Sequence, residues 1–252
     1  MKPFNRLDFA ICGAQKSGTQ LLSYYLKEHP EIFIPNNEIH YFDNWSFKKK
    51  IDFFYLNYHK NFKFFNDSDK KIYGEKTPIY IFYKNCMKRI YYYNKNIKII
   101  LIFRDPFDRA LSQYNMELER KNEYLSFDEA IFNEVERIKV SDFNYRSFSY
   151  LHRGYYYKQL TNCYKFFNKE QVLVLSYEEL VNNFKITMEK VQNFLACKKI
   201  TYPDNPKRVY WKNQNENKTF KKETKNFFIN KLLQDYYNFK KLTKIKFQNF
   251  EN

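Results

Sequence analysis

Apolar positions along the chain fall into two patterns. Short, nearly continuous runs have the unbroken hydrophobicity of strands buried on both faces: "DFAICG" ending at Gly13, "IKIILIF" from Ile97 to Phe103, and "QVLVLSY" from Gln171. Between them, apolar residues recur every three or four positions, as a helix with one buried stripe requires. "GTQLLSYYLKEH" presents Leu21, Leu22, Tyr25 and Leu26 on one side before Pro30 stops it. A helix is expected through Cys86 and Ile90, and another after the turn at Pro106, running past Tyr114 with Asp105 near its start. Phe127 to Val140 reads as one amphipathic helix followed by a polar connection, and Gly154 to Phe167 as helical. "FKITMEKVQNFL" is a helix expected to turn Ile186, Val191, Phe194 and Leu195 toward the core.

Other stretches are less regular. "EIFIP" reads as a short extended piece, and "EIHYFD" alternates with period two, which puts Glu38 and His40 on one side and Ile39 and Tyr41 on the other. Gly74 and Pro78 interrupt "YGEKTPIY", which reads as a loop before the next helix. The aromatic and basic stretch from Phe47 to Phe65 reads as packing, and from about Thr201 the pattern weakens into a basic helical tail. Alternating strands and helices predict an α/β fold of three layers, with a mostly parallel central sheet and helices on both faces. No repeat or linker divides the 252 residues, so a single domain over 1–252 is expected.

Composition adds a charge of +16, from 44 Lys and Arg against 28 Asp and Glu. Such a surface draws polyanions: nucleic acid, an acidic membrane, an anionic glycan or a nucleotide with several phosphates. The abundance of Asn, Ile, Tyr and Phe marks part of this charge as compositional bias. Cys12, Cys86, Cys163 and Cys197 are scattered without a metal-binding spacing, which reads as reduced thiols. No apolar stretch approaches the roughly 18 residues of a membrane span, and no leader pattern opens the chain. The expectation is a cytoplasmic protein, with an anionic membrane surface or a substrate held there left open.

The first chemistry lies in "GAQKSGTQLL", a turn between a strand and a helix, where unpaired amides and the positive helix end face outward. Gly13 and Gly18 allow close approach, Lys16 adds charge, and Ser17 and Thr19 add hydroxyls. The turn is P-loop-like without being the nucleoside-triphosphate motif, because the lysine precedes the second glycine. A dinucleotide fingerprint would need glycine where Gln15 stands. Arg104, at the end of the most apolar strand, with Arg109 and Ser112 beyond it, forms a candidate second phosphate clamp. A structural salt bridge to Asp105 or Asp108 is the other reading for the arginines. Glu38 or His40 could remove a proton from a nucleophilic hydroxyl or amine, or be a surface carboxylate and a structural histidine. Lys76 is a third basic group, or a solvated loop lysine.

Taken in order, "GAQKSGTQLLSYYLKEHPEIFIPNNEIHYFD", "YGEKTPIY" and "IKIILIFRDPFDRALSQYNM" resemble the sulfotransferases that use 3'-phosphoadenosine 5'-phosphosulfate (PAPS). The resemblance is greatest to the heparan sulfate O- and N-sulfotransferase branch and its bacterial relatives. It implies PAPS as donor, adenosine 3',5'-bisphosphate (PAP) as product, no metal, no nucleic-acid partner, and an acceptor that is a glycan or glycan precursor. By position, it implies a 5'-phosphosulfate loop from Gly13 to Thr19, including Gln15 and Ser17. Lys16 would sit near the bridging oxygen, with Gly18, Thr19 and Gln20 around the 5'-phosphate. It further implies Arg104 and Ser112 on the 3'-phosphate, Glu38 as general base with His40 beside it, Lys76 near the sulfuryl group, and Tyr155 or Tyr157 in a pocket wall. The late glycine-containing basic loop of that family has no counterpart glycine here, and Lys212, Lys218 and Lys221 all stand as candidates for its charge. The rival readings are a kinase of similar fold that binds ATP with Mg2+, and a basic nucleic-acid binder.

Overall fold

The computed structural model describes residues 6–44, 55–62, 71–206 and 219–251. In chain order its elements begin with β1 (Phe9–Gly13), α1 (Thr19–Lys27), β2 (Ile32–Phe33), α2 (Leu56–His59), β3 (Ile72–Lys76), α3 (Lys84–Tyr93) and β4 (Lys98–Phe103). Then follow α4 (Pro106–Glu119), α5 (Phe127–Phe132), α6 (Glu134–Val140), α7 (Asp142–Phe148) and α8 (Tyr156–Cys163). Last come β5 (Val172–Ser176), α9 (Tyr177–Asn182), α10 (Phe184–Leu195), α11 (Lys222–Thr243) and α12 (Gln248–Glu251). The strands form one sheet in the order β2-β3-β1-β4-β5, and β1 pairs in parallel with both β3 and β4. The expected α/β class, a mostly parallel sheet flanked by helices, is the one observed. Because the chain reaches β3 on one side of β1 and β4 on the other, the carboxyl end of β1 is a switch point, where open α/β sheets receive ligands.

The described residues form two compact units, one from residues up to 102 with 160–206, the other from 103–159 with 219–251. In the first unit, Phe9, Ile11, Ile100 and Ile102 pack with Leu22, Tyr25 and Leu26 of α1 and with Phe184, Met188 and Val191 of α10. The alternate strand residues Ala10, Cys12, Ile99 and Leu101 are also buried, which is why these strands are apolar without a break. Two expectations fail here. Ile186 points to solvent at 56% exposure, because Phe184 and Met188 occupy the inward face of α10. "YGEK" is strand β3 rather than loop: the ring of Phe9 fills the space over Gly74, where an added Cβ would lie 2.3 Å from it. Gly74 thus serves close packing between neighbouring strands.

In the second unit, Asp105 accepts hydrogen bonds from the amides of Phe107 and Asp108 and caps α4, with Pro106 in its first turn. The single helix expected from Phe127 to Val140 is two helices. Ser126 and Glu129 cap α5 reciprocally, and the chain breaks at Asn133, whose side-chain amide donates to the Glu129 carbonyl. The expected polar connection is α7, capped by Ser141. Inside, the buried Glu123 carboxylate receives both Arg137 nitrogens at 2.9 and 3.0 Å and the Tyr150 hydroxyl at 2.8 Å.

Candidate functional site

At the carboxyl end of β1 the chain turns sharply into α1. Gly18 is the N-cap at φ +89, and a Cβ there would also approach the Tyr177 ring at 2.8 Å, so this position requires glycine. No side chain caps α1 and no acid occupies its first turn, which leaves the positive helix end available to an anion. Ser17 is fully buried and its Oγ has no hydrogen-bond partner among the described residues. A buried hydroxyl left alone costs about 1–3 kcal/mol. A ligand's anionic oxygen that accepts from the Ser17 hydroxyl removes that cost, so the residues of this turn fit a phosphate group.

Residues 36–44 carry no regular structure, so Glu38 and His40 are brought together by something other than strand alternation. His40 adopts φ +53, with its Nδ1 2.9 Å from Asp43 Oδ2 and its Nε2 3.4 Å from Glu38 Oε2. From the other side, Lys76 Nζ lies 3.1 Å from Glu38 Oε1 and donates to Gln20 Oε1 at 2.6 Å. Lys76 is buried at the end of β3, not a solvated loop lysine. Burial alone would raise the Glu38 carboxyl, but the His40 hydrogen bond and the Lys76 charge outweigh it and hold the group below the usual range. Glu38 is therefore ionised at neutral pH. Lys27 donates to Asn36 at 3.2 Å, and desolvation together with the nearby Lys76 charge lowers its pKa.

One residue before Lys76, the Glu75 carboxyl is fully buried and accepts from the hydroxyls of Tyr58, Thr77 and Tyr80. Burial pushes its pKa up to about 7, against the lowering effect of these donors, with the Asp43 charge adding to the rise. Tyr80 Oη also accepts from the Tyr41 amide at 3.0 Å, tying the knot around Glu75 to the segment that carries Glu38. Tyr58 lies outside the sequence blocks singled out above, and Asp43, which closes the first of them, has no role there. Only the folded chain brings them to these carboxyls.

The second unit holds a cavity of about 370 Å³ lined by Arg104, Ser112, Phe107, Asp108, Lys225 and Asn249 among others. The two residues singled out for a 3'-phosphate, Arg104 and Ser112, therefore face one space. Arg109 does not: it is fully buried, donating to Gln113 Oε1 at 2.7 Å and to the Tyr150 carbonyl, and it ties α4 to the end of α7. Arg104 keeps its place because the buried Tyr156 hydroxyl donates to its carbonyl at 2.9 Å. Tyr157 is half-buried, does not line this cavity, and donates its amide to Asp235 at 2.8 Å; Tyr155 is half-buried beside His152. Lys212 and Lys218 lie outside the described residues, and Lys221 is not a lining residue. Lys225 and Asn249, both absent from the expected set, are.

Among the described residues no cluster of His, Cys, Asp and Glu could hold a metal, and no helix is long and apolar enough to cross a membrane. The pattern of the sulfotransferase domain matches residues 6–249. The chain is 30% identical over 195 residues to the heparan sulfate glucosamine 3-O-sulfotransferase 3A1 of Mus musculus, covering 75% of this chain and 46% of that one. It spans about half the length of the relatives it matches. In fold it is similar to a sulfotransferase from Alicyclobacillus acidocaldarius, with TM-score 0.79, 24% identity, and coverage of 98% of this chain and 100% of that chain. It is also similar to mouse sulfotransferase SULT7A1 complexed with PAP, with TM-score 0.51, 19% identity, and coverage of 78% and 61%. With all but a few residues at either end inside the match, the chain belongs to the sulfotransferase domain family.

Proposed function

We propose that this protein transfers the sulfuryl group of PAPS to a hydroxyl or amine of a carbohydrate, with Glu38 as general base. The observation that carries the reading is Lys76, which bridges Gln20 on the phosphate-turn helix to Glu38 at 2.6 and 3.1 Å. A proton acceptor and an anion-binding turn are thereby coupled through one ammonium. The donor supplies an activated sulfuryl group, whose bond to the phosphate oxygen breaks as the acceptor attacks.

The chain's own residues handle charge and proton. Lys16 and the amides of the turn from Gly13 to Thr19, with the Ser17 hydroxyl, bind the 5' end and neutralise the negative charge that develops on the leaving oxygen. Arg104 and Ser112 hold the 3'-phosphate. Glu38 takes the acceptor proton. In the ligand-free arrangement Lys76 makes it a weak base, and drawing the Lys76 ammonium toward an anionic donor raises its basicity when the proton must move. His40, fixed by Asp43, keeps the carboxylate oriented. The carbohydrate class rests on the similarity to enzymes named for a glycan acceptor.

The test is transfer of labelled sulfate from PAPS to heparan sulfate and to an uncharged polysaccharide, by the wild type and Glu38→Gln. Transfer to either glycan that collapses in the variant supports the assignment. No transfer to either overturns the carbohydrate acceptor, and equal transfer by the variant overturns the base.

A further inference from the structure

We infer that Tyr80 is a positioning residue for the general base: its hydroxyl sets where the segment carrying Glu38 and His40 stands relative to Lys76. The inference rests on the base reading above and extends it to a fully buried side chain that acts only through others. Residues 36–44 belong to no strand or helix, so their backbone groups depend on partners outside the segment. Tyr80 Oη accepts from the amides of Tyr41 at 3.0 Å and Phe42 at 3.4 Å, while its hydroxyl donates to Glu75 Oε2 at 3.3 Å. From α3, Arg89 donates to the Phe42 carbonyl at 2.5 Å and to the Asn44 carbonyl at 3.3 Å, and the Cys86 thiol donates to the Phe42 carbonyl at 3.3 Å. Between these two clamped carbonyls stands Asp43, whose carboxylate fixes His40 Nδ1 at 2.9 Å.

Tyr80 is itself anchored to the sheet. Its amide donates to the Thr77 carbonyl at 3.1 Å, the Thr77 amide to the Ile11 carbonyl of β1 at 3.1 Å, and the Ile81 amide to the Cys12 carbonyl at 2.9 Å. The hydroxyl therefore ties the base segment to the carboxyl end of β1, where the phosphate turn begins, and to β3, which ends in Lys76. Glu38 and Lys76 stand 3.1 Å apart on pieces of chain that no strand pairing joins, so their separation depends on such side-chain ties. Tyr58 provides the contrast. It is as deeply buried and donates to the same carboxyl, yet among the described residues its hydroxyl makes no hydrogen bond to residues 36–44. Losing the Tyr58 hydroxyl deprives Glu75 alone, whereas losing that of Tyr80 also releases two amides of the base segment. A catalytic group displaced by about 1 Å can lose on the order of 100-fold in rate, so the two losses differ in turnover.

The experiment is steady-state transfer of labelled sulfate from PAPS to heparan sulfate, or to the uncharged polysaccharide where that is the one sulfated, measured against pH. It compares the wild type with Tyr80→Phe, Tyr58→Phe and Arg89→Met, at a temperature where thermal melts show each variant folded. Tyr80→Phe is expected to lower kcat by about 10- to 100-fold, with both KM values within about threefold. Its acid limb of kcat/KM is expected to move upward, as burial raises the Glu38 carboxyl with less opposition from His40 and Lys76. Tyr58→Phe is expected to keep kcat within about twofold and the limb in place. Arg89→Met, at a partly exposed position on the same clamp, is expected to move kcat and the limb in the direction of Tyr80→Phe by less, and carries the test where Tyr80→Phe does not fold. In a Glu38→Gln background, Tyr80→Phe is expected to cost almost nothing further, because the group it positions is gone. Wild-type kcat in the folded Tyr80→Phe and Arg89→Met proteins, or equal losses in Tyr80→Phe and Tyr58→Phe with an unmoved limb, overturns the positioning role and leaves the base reading standing. A wild type that sulfates neither glycan, or Glu38→Gln as active as the wild type, overturns the base reading and this inference with it.

Discussion

Glu38 and Glu75 are two carboxyls within reach of the same short segment, and their surroundings drive them in opposite directions. Glu38 is about one-third exposed, flanked by Lys76 and His40, and held below the usual glutamate range. Glu75 is sealed among Tyr58, Thr77 and Tyr80 and is pushed up to about 7. Judged by basicity alone, Glu75 is the better base. It is also unreachable, which is the lesson: a shifted pKa identifies a buried group, and a base must in addition be open to the proton it takes. Glu75 instead anchors three hydroxyls beneath the strand end that presents Lys76.

The comparison is broken most strongly by Glu38→Gln, which keeps shape and hydrogen bonding but cannot accept a proton. Turnover should fall by about 10²- to 10⁴-fold, while PAP affinity by calorimetry stays near the wild type. The matching Glu75→Gln change should leave kcat within a small factor. A variant pair with the reverse outcome would exchange the two roles.

Next in size is stability. Glu75→Ala leaves the hydroxyls of Tyr58, Thr77 and Tyr80 without their acceptor and should cost about 2–5 kcal/mol in chemical denaturation. Glu75 also gives stability a definite pH dependence. Its folded pKa, about 7, lies above the ordinary 4.5, so the folded state holds the proton more tightly than the unfolded chain. Its contribution is complete below pH 4.5 and is lost as pH rises through about 7. Glu75→Gln should remove that decline, read as a flatter melting temperature between pH 5 and 8, and a slope unchanged from the wild type would refute the assignment.

Arg104→Ala should weaken PAP by about 10- to 100-fold with little effect on 5'-AMP, measured by the same titration. The smallest expected effect concerns the acid limb of kcat/KM. Glu38 is held down by His40 and Lys76, so activity should fall only below pH 4.5, and Lys76→Met should shift that limb upward.

Much of this was readable before the fold was known, for physical reasons. β1 and β4 are covered on both faces, so their burial is written as continuous apolar runs, and the turn after β1 needs glycine at φ +89, which a sequence displays directly. β3 was concealed because Gly74 reads as a breaker, whereas the glycine is there to admit the Phe9 ring. Of the partners that tune the site, Asp43 closes the first quoted block but meets His40 only through loop geometry, while Tyr58 for Glu75, and Lys225 with Asn249 beside Arg104, come from distant segments with no motif of their own. Arg109 shows the opposite error: a cation close to the expected clamp that the core of its unit consumes.

The central claim is that this chain binds a sulfate donor by its 3'- and 5'-phosphates. The most direct test is titration of the wild type with PAP, 5'-AMP, and ATP plus Mg2+ in identical salt. The account predicts tight binding of PAP, markedly weaker binding of 5'-AMP, and no gain from ATP with Mg2+. Binding of ATP with Mg2+ in preference to PAP would contradict it.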